Sequence, residues 1–248
     1  MTAEPERRIV TVADTAGMAT AAAERLVARI GANAGRIAIC LSGGSSPQQL
    51  YRLLASDAWR NRIPWDRVHW FIGDERVVPE SSPLSNMGEA RRLLLGQFAP
   101  ASHIHAVPIL ASPDESAERY ARELTSFYGA DELNPDRPLF DLVLLGVGPD
   151  GHTASLFPGD AALDEIERWV VGVQRAPVEP LVPRVTLTLP ALGSCREMLF
   201  QVAGSGKRAI LTRLLDGEDL PANSARSSAG ETVWLVDKAA LPEDARGQ

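Results

Sequence analysis

The sequence predicts an α/β protein, a single domain in which a mainly parallel sheet carries helices on both faces. Three observations predict it. Apolar, β-rich runs alternate with segments of helical periodicity, the pattern of successive strand–helix–strand units. The 248 residues, 45 % of them hydrophobic, suffice for one core of ordinary density. No repeat of roughly 20 to 50 residues and no low-complexity linker divides the chain.

Each element follows from its local pattern. Residues 7–13 read as a short strand, and 15–35 as an Ala-rich helix whose Ala19, Ala23, Val27 and Ile30 recur at helical spacing before Gly31 and Gly35. Residues 36–43, RIAICLSG, form an apolar β-rich run, and 45–56 a helix with Pro47 near its first turn. Residues 68–75, VHWFIGDE, read as a strand with acids at its carboxyl end. A helix at 85–96, a short strand at 104–108, a helix at 112–129 with a serine cap and first-turn acids, and a strand at 140–148 follow. Then come strands at 169–174, 184–190 and 197–204, a helix at 205–215 and a strand at 232–237. Residues 131–139 are the most loop-like interior stretch, and 242–248 read as a frayed tail.

Composition excludes several function classes. The formal net charge is −7, and no run of Lys or Arg exceeds two residues, so nothing favours a nucleic-acid backbone as partner. Cys40 and Cys195 sit in apolar settings without ligand spacing, as packed thiols of a reducing compartment do. The N-terminal residues lack a signal-peptide core, and no apolar run approaches the roughly 20 residues of a membrane span. The expectation is a soluble, cytoplasmic protein. Nothing in the sequence fixes an oligomeric state.

Open parallel sheets bind ligands beyond the carboxyl ends of their strands, where turns lead into helices with unpaired N–H groups. Three segments sit at such ends. LSGGSSP follows the strand at 37–41: Gly43 and Gly44 allow close backbone approach, and Ser45 and Ser46 can donate to phosphate oxygens, although a plain serine-capped turn has the same pattern. GDERVVP places Asp74, Glu75 and Arg76 at the next strand end, where three charges can also simply be solvated. GVGPDGHTAS sets Asp150 and His152 in a turn too rich in glycine for simple packing, a place suited to proton transfer. Arg184 and Lys207 add two cations that can converge on one phosphoryl group if the chain brings them near the SGGSS turn.

Some tempting matches fail in context. Gly146, Gly148 and Gly151 satisfy GxGxxG, but Pro158 cuts short any following helix and the next strand lacks a ribose-binding acid. Ser45, Asp74 and His152 run in hydrolase order, yet proline at position 47 breaks the nucleophile elbow. His103 and His105 offer two imidazoles on one strand face without a third ligand nearby.

LSGGSSP, GDERVVP, SNMGEARRLLL, LLGVGPDGHTASLFPG, PRVTLTLPAL and the Lys207 segment, in this order over roughly residues 35–238, resemble the 6-phosphogluconolactonase family, within the larger group that includes glucosamine-6-phosphate deaminases. The deaminase branch typically reads GHIAFNEPG where this chain has GHTASLFPG, so residues 153–157 favour the lactonase branch. The resemblance implies a single α/β domain like the ribose-phosphate isomerase and deaminase fold, acting on a sugar-phosphate lactone in the oxidative pentose phosphate pathway. It maps a catalytic base to His152 with Asp150 and Arg76 beside it, and a phosphate site to Gly43, Gly44, Ser45, Arg184 and Lys207. Gly193 departs from the asparagine that family members often carry.

A lactone is a cyclic ester. Its hydrolysis needs an activated water, stabilisation of an oxyanion and a proton for the departing ring oxygen, and requires neither metal nor redox cofactor. Imidazole, with an ordinary pKa of about 6.5, suits the proton transfers. Asp150 can orient the ring or set its tautomer. Arg76 can hold Asp150 or stabilise the oxyanion. Remaining competitors are a deaminase-like isomerase and a non-catalytic sugar-phosphate sensor.

Overall fold

A computed structural model describes residues 7–242; the tail reading falls outside them from residue 243 on. In chain order the elements are β1 (Arg8–Val12), α1 (Thr15–Ala32), β2 (Ile37–Leu41), α2 (Ser45–Leu54), α3 (Asp57–Arg60), β3 (Val68–Ile72), β4 (Asp74–Arg76), α4 (Asn86–Ala90) and α5 (Gly96–Phe98). They continue with α6 (Pro113–Tyr128), β5 (Leu142–Leu145), β6 (Val170–Val173), β7 (Arg184–Leu187), α7 (Leu189–Gly193), β8 (Glu197–Val202), α8 (Arg208–Leu215), α9 (Pro221–Ser224) and β9 (Glu231–Asp237). A π-helical turn, Arg91–Leu95, joins α4 to α5.

Six strands form one wholly parallel sheet in the order β1-β9-β8-β5-β2-β3. Every residue of β2, β5 and β8 is buried, as in strands covered on both faces. The Ala-rich stretch becomes α1: Asp14 caps it by accepting from the Gly17 N–H at 2.8 Å, and it buries Met18, Ala19, Ala22, Ala23, Leu26 and Ile30. Ser112 caps α6 in the same way, with Asp114 and Glu115 against the positive end of the helix dipole. Cys40 and Cys195 are free, buried thiols.

Three readings change in detail. VHWFIGDE is two strands: β3 stops at Ile72, and Gly73 donates to Leu41 O of the main sheet while accepting from Leu187 N. This hinge moves Asp74–Arg76 into a second, antiparallel sheet of order β4-β7-β6. The strands at 169–174 and 184–190 join it too, because no helix lies between β6 and β7 and a parallel return needs a long crossover. The segment 104–108 is not a strand; Ile104 makes an isolated bridge to Trp70 and the His105 N–H donates to Trp70 O, covering the β3 edge.

Candidate active site

The chain runs from β2 outward to β3 and then returns to the other side of β2 as β5. The crevice beyond the carboxyl ends of β2 and β5 is therefore a topological switch point, where open α/β sheets bind ligands. A cleft of about 230 Å³ opens there. The turn after β2 contributes Ser42, Gly43 and Gly44, and the turn after β5 contributes Gly146, Val147, Gly148 and His152. Asp74, Arg76, Asn86, Arg184 and Lys207 also line it.

His152 is held by its own turn. Its Nδ1 and backbone N–H lie 2.5 Å and 3.2 Å from Asp150 Oδ1, and its carbonyl accepts from Gly148 N at 2.8 Å. A proton on Nδ1 shared with Asp150 leaves Nε2 with the lone pair a base needs. Glycine at 148 is a packing requirement, since a Cβ there would lie 2.0 Å from the imidazole Cε1 and Nδ1. The ring packs on Phe157 at 4.7 Å between centroids, and Arg184 Cζ lies 5.9 Å from the same ring. Phe157 thus forms a shared platform for imidazole and guanidinium. In sequence between His152 and Phe157, Ala154 adopts φ 48°, a left-handed conformation costly for alanine, at the cleft wall. The flanking bonds hold it: Thr153 Oγ1 donates to Gly146 O, and Ser155 N to Thr186 Oγ1.

The small sheet supplies two of the cleft's cations, and the turn before α8 supplies the third. Arg76 and Arg184 are direct partners across β4 and β7, an arrangement of like charges that is unfavourable without an anion between them. The Arg76 Nη1 donates to Leu84 O and the Arg184 Nη2 to Pro180 O, while Nε of each is buried without a hydrogen-bond partner among the described residues. Burial lowers the pKa of Arg184, and Asp74 partly offsets it. Lys207 donates to Val147 O at 2.7 Å; burial also lowers its pKa, against the pull of Asp150.

Glu75 points the other way. It is buried and accepts from Asn86 N, Met87 N, Ser85 Oγ and Arg76 N, clamping the start of α4; burial raises its pKa against these bonds. The clamp places Asn86, whose amide donates to Asp74 O at 2.9 Å and stands so close to Gly43 that a Cβ there would lie 2.0 Å from Asn86 Oδ1. Gly44, at φ 106°, precedes α2, whose first N–H groups carry no side-chain cap.

Of the residues singled out from sequence, Gly43, Gly44, Arg76, His152, Arg184 and Lys207 share the cleft, and Asp150 reaches it through His152. Ser45 starts α2, exposed, and is not among the lining residues. Gly193 lies in α7 beside Arg226 O, 2.8 Å from where its Cβ would be, and does not line the cleft. Sequence reasoning assigned no role to Ser42, Asn86, Ala154 or Phe157; only their position inside recognisable blocks signalled them. His103 and His105 meet His69 and Glu123 outside the cleft, and no group of three or more His, Cys, Asp or Glu among the described residues is arranged to hold a metal ion. No helix among those residues is long and apolar enough to cross a membrane.

The cleft can be set against known proteins. The 6-phosphogluconolactonase of Rattus norvegicus is 38% identical over 230 residues, 91% of this chain and 87% of that protein. That of Nostoc sp. is 40% identical over 215 residues, 84% of this chain and 85% of that protein. The solved structure of 6-phosphogluconolactonase from Trypanosoma cruzi superposes with a TM-score of 0.84 at 28% identity, covering 97% of each chain. Residues 13–234 match the family described as glucosamine-6-phosphate isomerases/6-phosphogluconolactonase, and the chain belongs to that family.

Proposed function

We propose that this chain hydrolyses 6-phospho-D-glucono-1,5-lactone to 6-phosphogluconate, the lactone-opening step of the oxidative pentose phosphate pathway. The relatives named 6-phosphogluconolactonase support the reaction, and one observation carries the mechanism: Asp150 engages His152 Nδ1 and leaves Nε2 for water. Nε2 takes a proton from water as its oxygen attacks the lactone carbonyl. The tetrahedral oxyanion then collapses, the bond to the ring oxygen breaks, and the imidazolium returns the proton to that oxygen. The products are one carboxylic acid and one hydroxyl, with water consumed.

Arg76 stabilises the oxyanion in this reading. Its guanidinium donates to Leu84 O, and the hydrogen bonds of the Asp150 carboxylate come from His152. Arg184, Lys207 and the Gly43–Gly44 turn take the phosphate, a dianion that relieves the repulsion between the paired arginines. Ser45 adds a hydroxyl at the mouth of α2. Fixing the remote phosphate orients the carbonyl against the water. Free buried thiols fit a reducing, cytoplasmic setting.

The test generates the lactone in place from glucose 6-phosphate at mildly acidic pH and follows its disappearance with and without the protein. Acceleration by the wild type that is lost in His152→Ala supports the reading. An uncatalysed rate with the wild type overturns it.

A further inference from the structure

Asp74 is a buried carboxylate at the cleft that the water-activation chemistry does not use. On β4 it shares a face with Arg76, and its partner across the sheet is Thr186, as Arg184 is the partner of Arg76. The carboxylate therefore sits one strand repeat from the paired arginines, on the side of the sheet that faces the ligand. Its position is locked. Ser155 Oγ donates to Oδ2 at 2.6 Å, and Ser155 is itself fully buried, with its N–H on Thr186 Oγ1. The Asn86 amide donates to the Asp74 carbonyl and reaches Oδ1 only at 3.4 Å.

A carboxylate only accepts hydrogen bonds, and two oxygens offer about four acceptor sites. Here one oxygen is well bonded and the other has one long contact. Such a group repels a phosphate and receives a hydroxyl. A cleft with cations at one point and a locked acceptor one step away fits a ligand that carries both an anion and a polyol. Resting on the lactonase reading of the cleft, we propose that Asp74 is a specificity-determining residue that accepts a hydrogen bond from one ring hydroxyl of the lactone, with Ser155 as the positioning residue that aims it.

The experiment compares kcat/KM of the wild type, Asp74→Ala, Asp74→Asn and Ser155→Ala on 6-phosphogluconolactone and on its 2-deoxy, 3-deoxy and 4-deoxy analogues. Inorganic phosphate serves as competitive inhibitor, and thermal melts confirm folding. Asp74→Ala is expected to lower kcat/KM for the parent lactone about 10- to 100-fold and to change one deoxy analogue by less than about threefold, because that analogue lacks the hydroxyl whose bond is lost. Ser155→Ala should give the same substrate pattern at about 3- to 10-fold, with phosphate inhibition unchanged in that variant and unchanged or tighter where Asp74 loses its charge. Asp74→Asn, close in shape, carries the test if the alanine variant does not fold. Equal losses on all four lactones, or phosphate inhibition that weakens when Asp74 is replaced, overturn the inference and leave the lactonase reading standing. A wild type that accelerates none of the lactones removes that reading, and this inference with it.

Discussion

Two groups of histidines in this molecule have opposite surroundings. His152 stands in a glycine turn beyond β5, with Nδ1 on Asp150 and its ring edge in the cleft. His69, His103 and His105 gather at the β3 edge: the His69 ring stacks on His103 at 4.1 Å, His69 Nδ1 meets His105 Nε2 at 2.9 Å, and His105 Nδ1 meets Glu123 at 2.7 Å. His105 also lies flat on Phe71, 4.3 Å away. In the cluster the imidazoles pack as aromatic discs, with one nitrogen contact between His69 and His105 and the other His105 nitrogen on Glu123. In the cleft a single imidazole is oriented and left with a nitrogen to use. Residue type does not separate the two settings; the surroundings of the ring nitrogens do.

The largest expected effect breaks the contrast at its centre. His152→Ala should lower kcat by about 10²- to 10⁴-fold with substrate binding largely kept, read from steady-state lactone hydrolysis; turnover within about threefold of wild type would place the base elsewhere. Next comes the turn. Gly148→Ala drives a Cβ to 2.0 Å from the ring, so the imidazole must move, and kcat should fall about 10²-fold. A crystal structure of this variant with an unmoved ring, or undiminished kcat, would refute the packing argument.

The cations sharpen the comparison from the ligand's side. Arg184→Ala should raise KM for the phosphorylated lactone about 10-fold or more, with a smaller change in kcat. An unchanged KM would put the phosphate away from the β4–β7 face. The smallest effect belongs to the cluster. Burial, with the neighbouring His103, His105 and Arg36, lowers the pKa of His69 from 6.5 to about 4. The folded state thus excludes a proton that the unfolded chain binds, so this stability is complete above pH 6.5 and is lost as pH falls toward 4. His69→Phe should flatten that part of the stability profile, changing the melting midpoint between pH 6.5 and 4 by about 2–4 °C relative to wild type. Parallel profiles for the two proteins would show that His69 does not contribute.

Much of the site was legible because it is local. Asp150 and His152 are two residues apart, and the glycines around them are what a bonded imidazole in a tight turn requires. The paired arginines were not legible as a pair. Arg76 and Arg184 are far apart in sequence, and only the antiparallel register of β4 on β7 sets them opposite each other. Glu75 illustrates the same limit: three consecutive charges leave a site and a solvated strand end equally open, and strand alternation sends Glu75 into the clamp on α4 and its neighbours to the cleft.

By itself the sequence determined the α/β class, the alternating helices and strands of the main sheet, and the glycine turns that line the cleft, because periodicity, capping and turn chemistry act over a few residues. The tertiary structure alone decided the small antiparallel sheet, the meeting of β2 and β5 at the switch point, the Phe157 platform and the latch of Ser155 on Asp74. Those depend on strand order and register, and the free energy that sets them comes from burying surfaces contributed by distant parts of the chain.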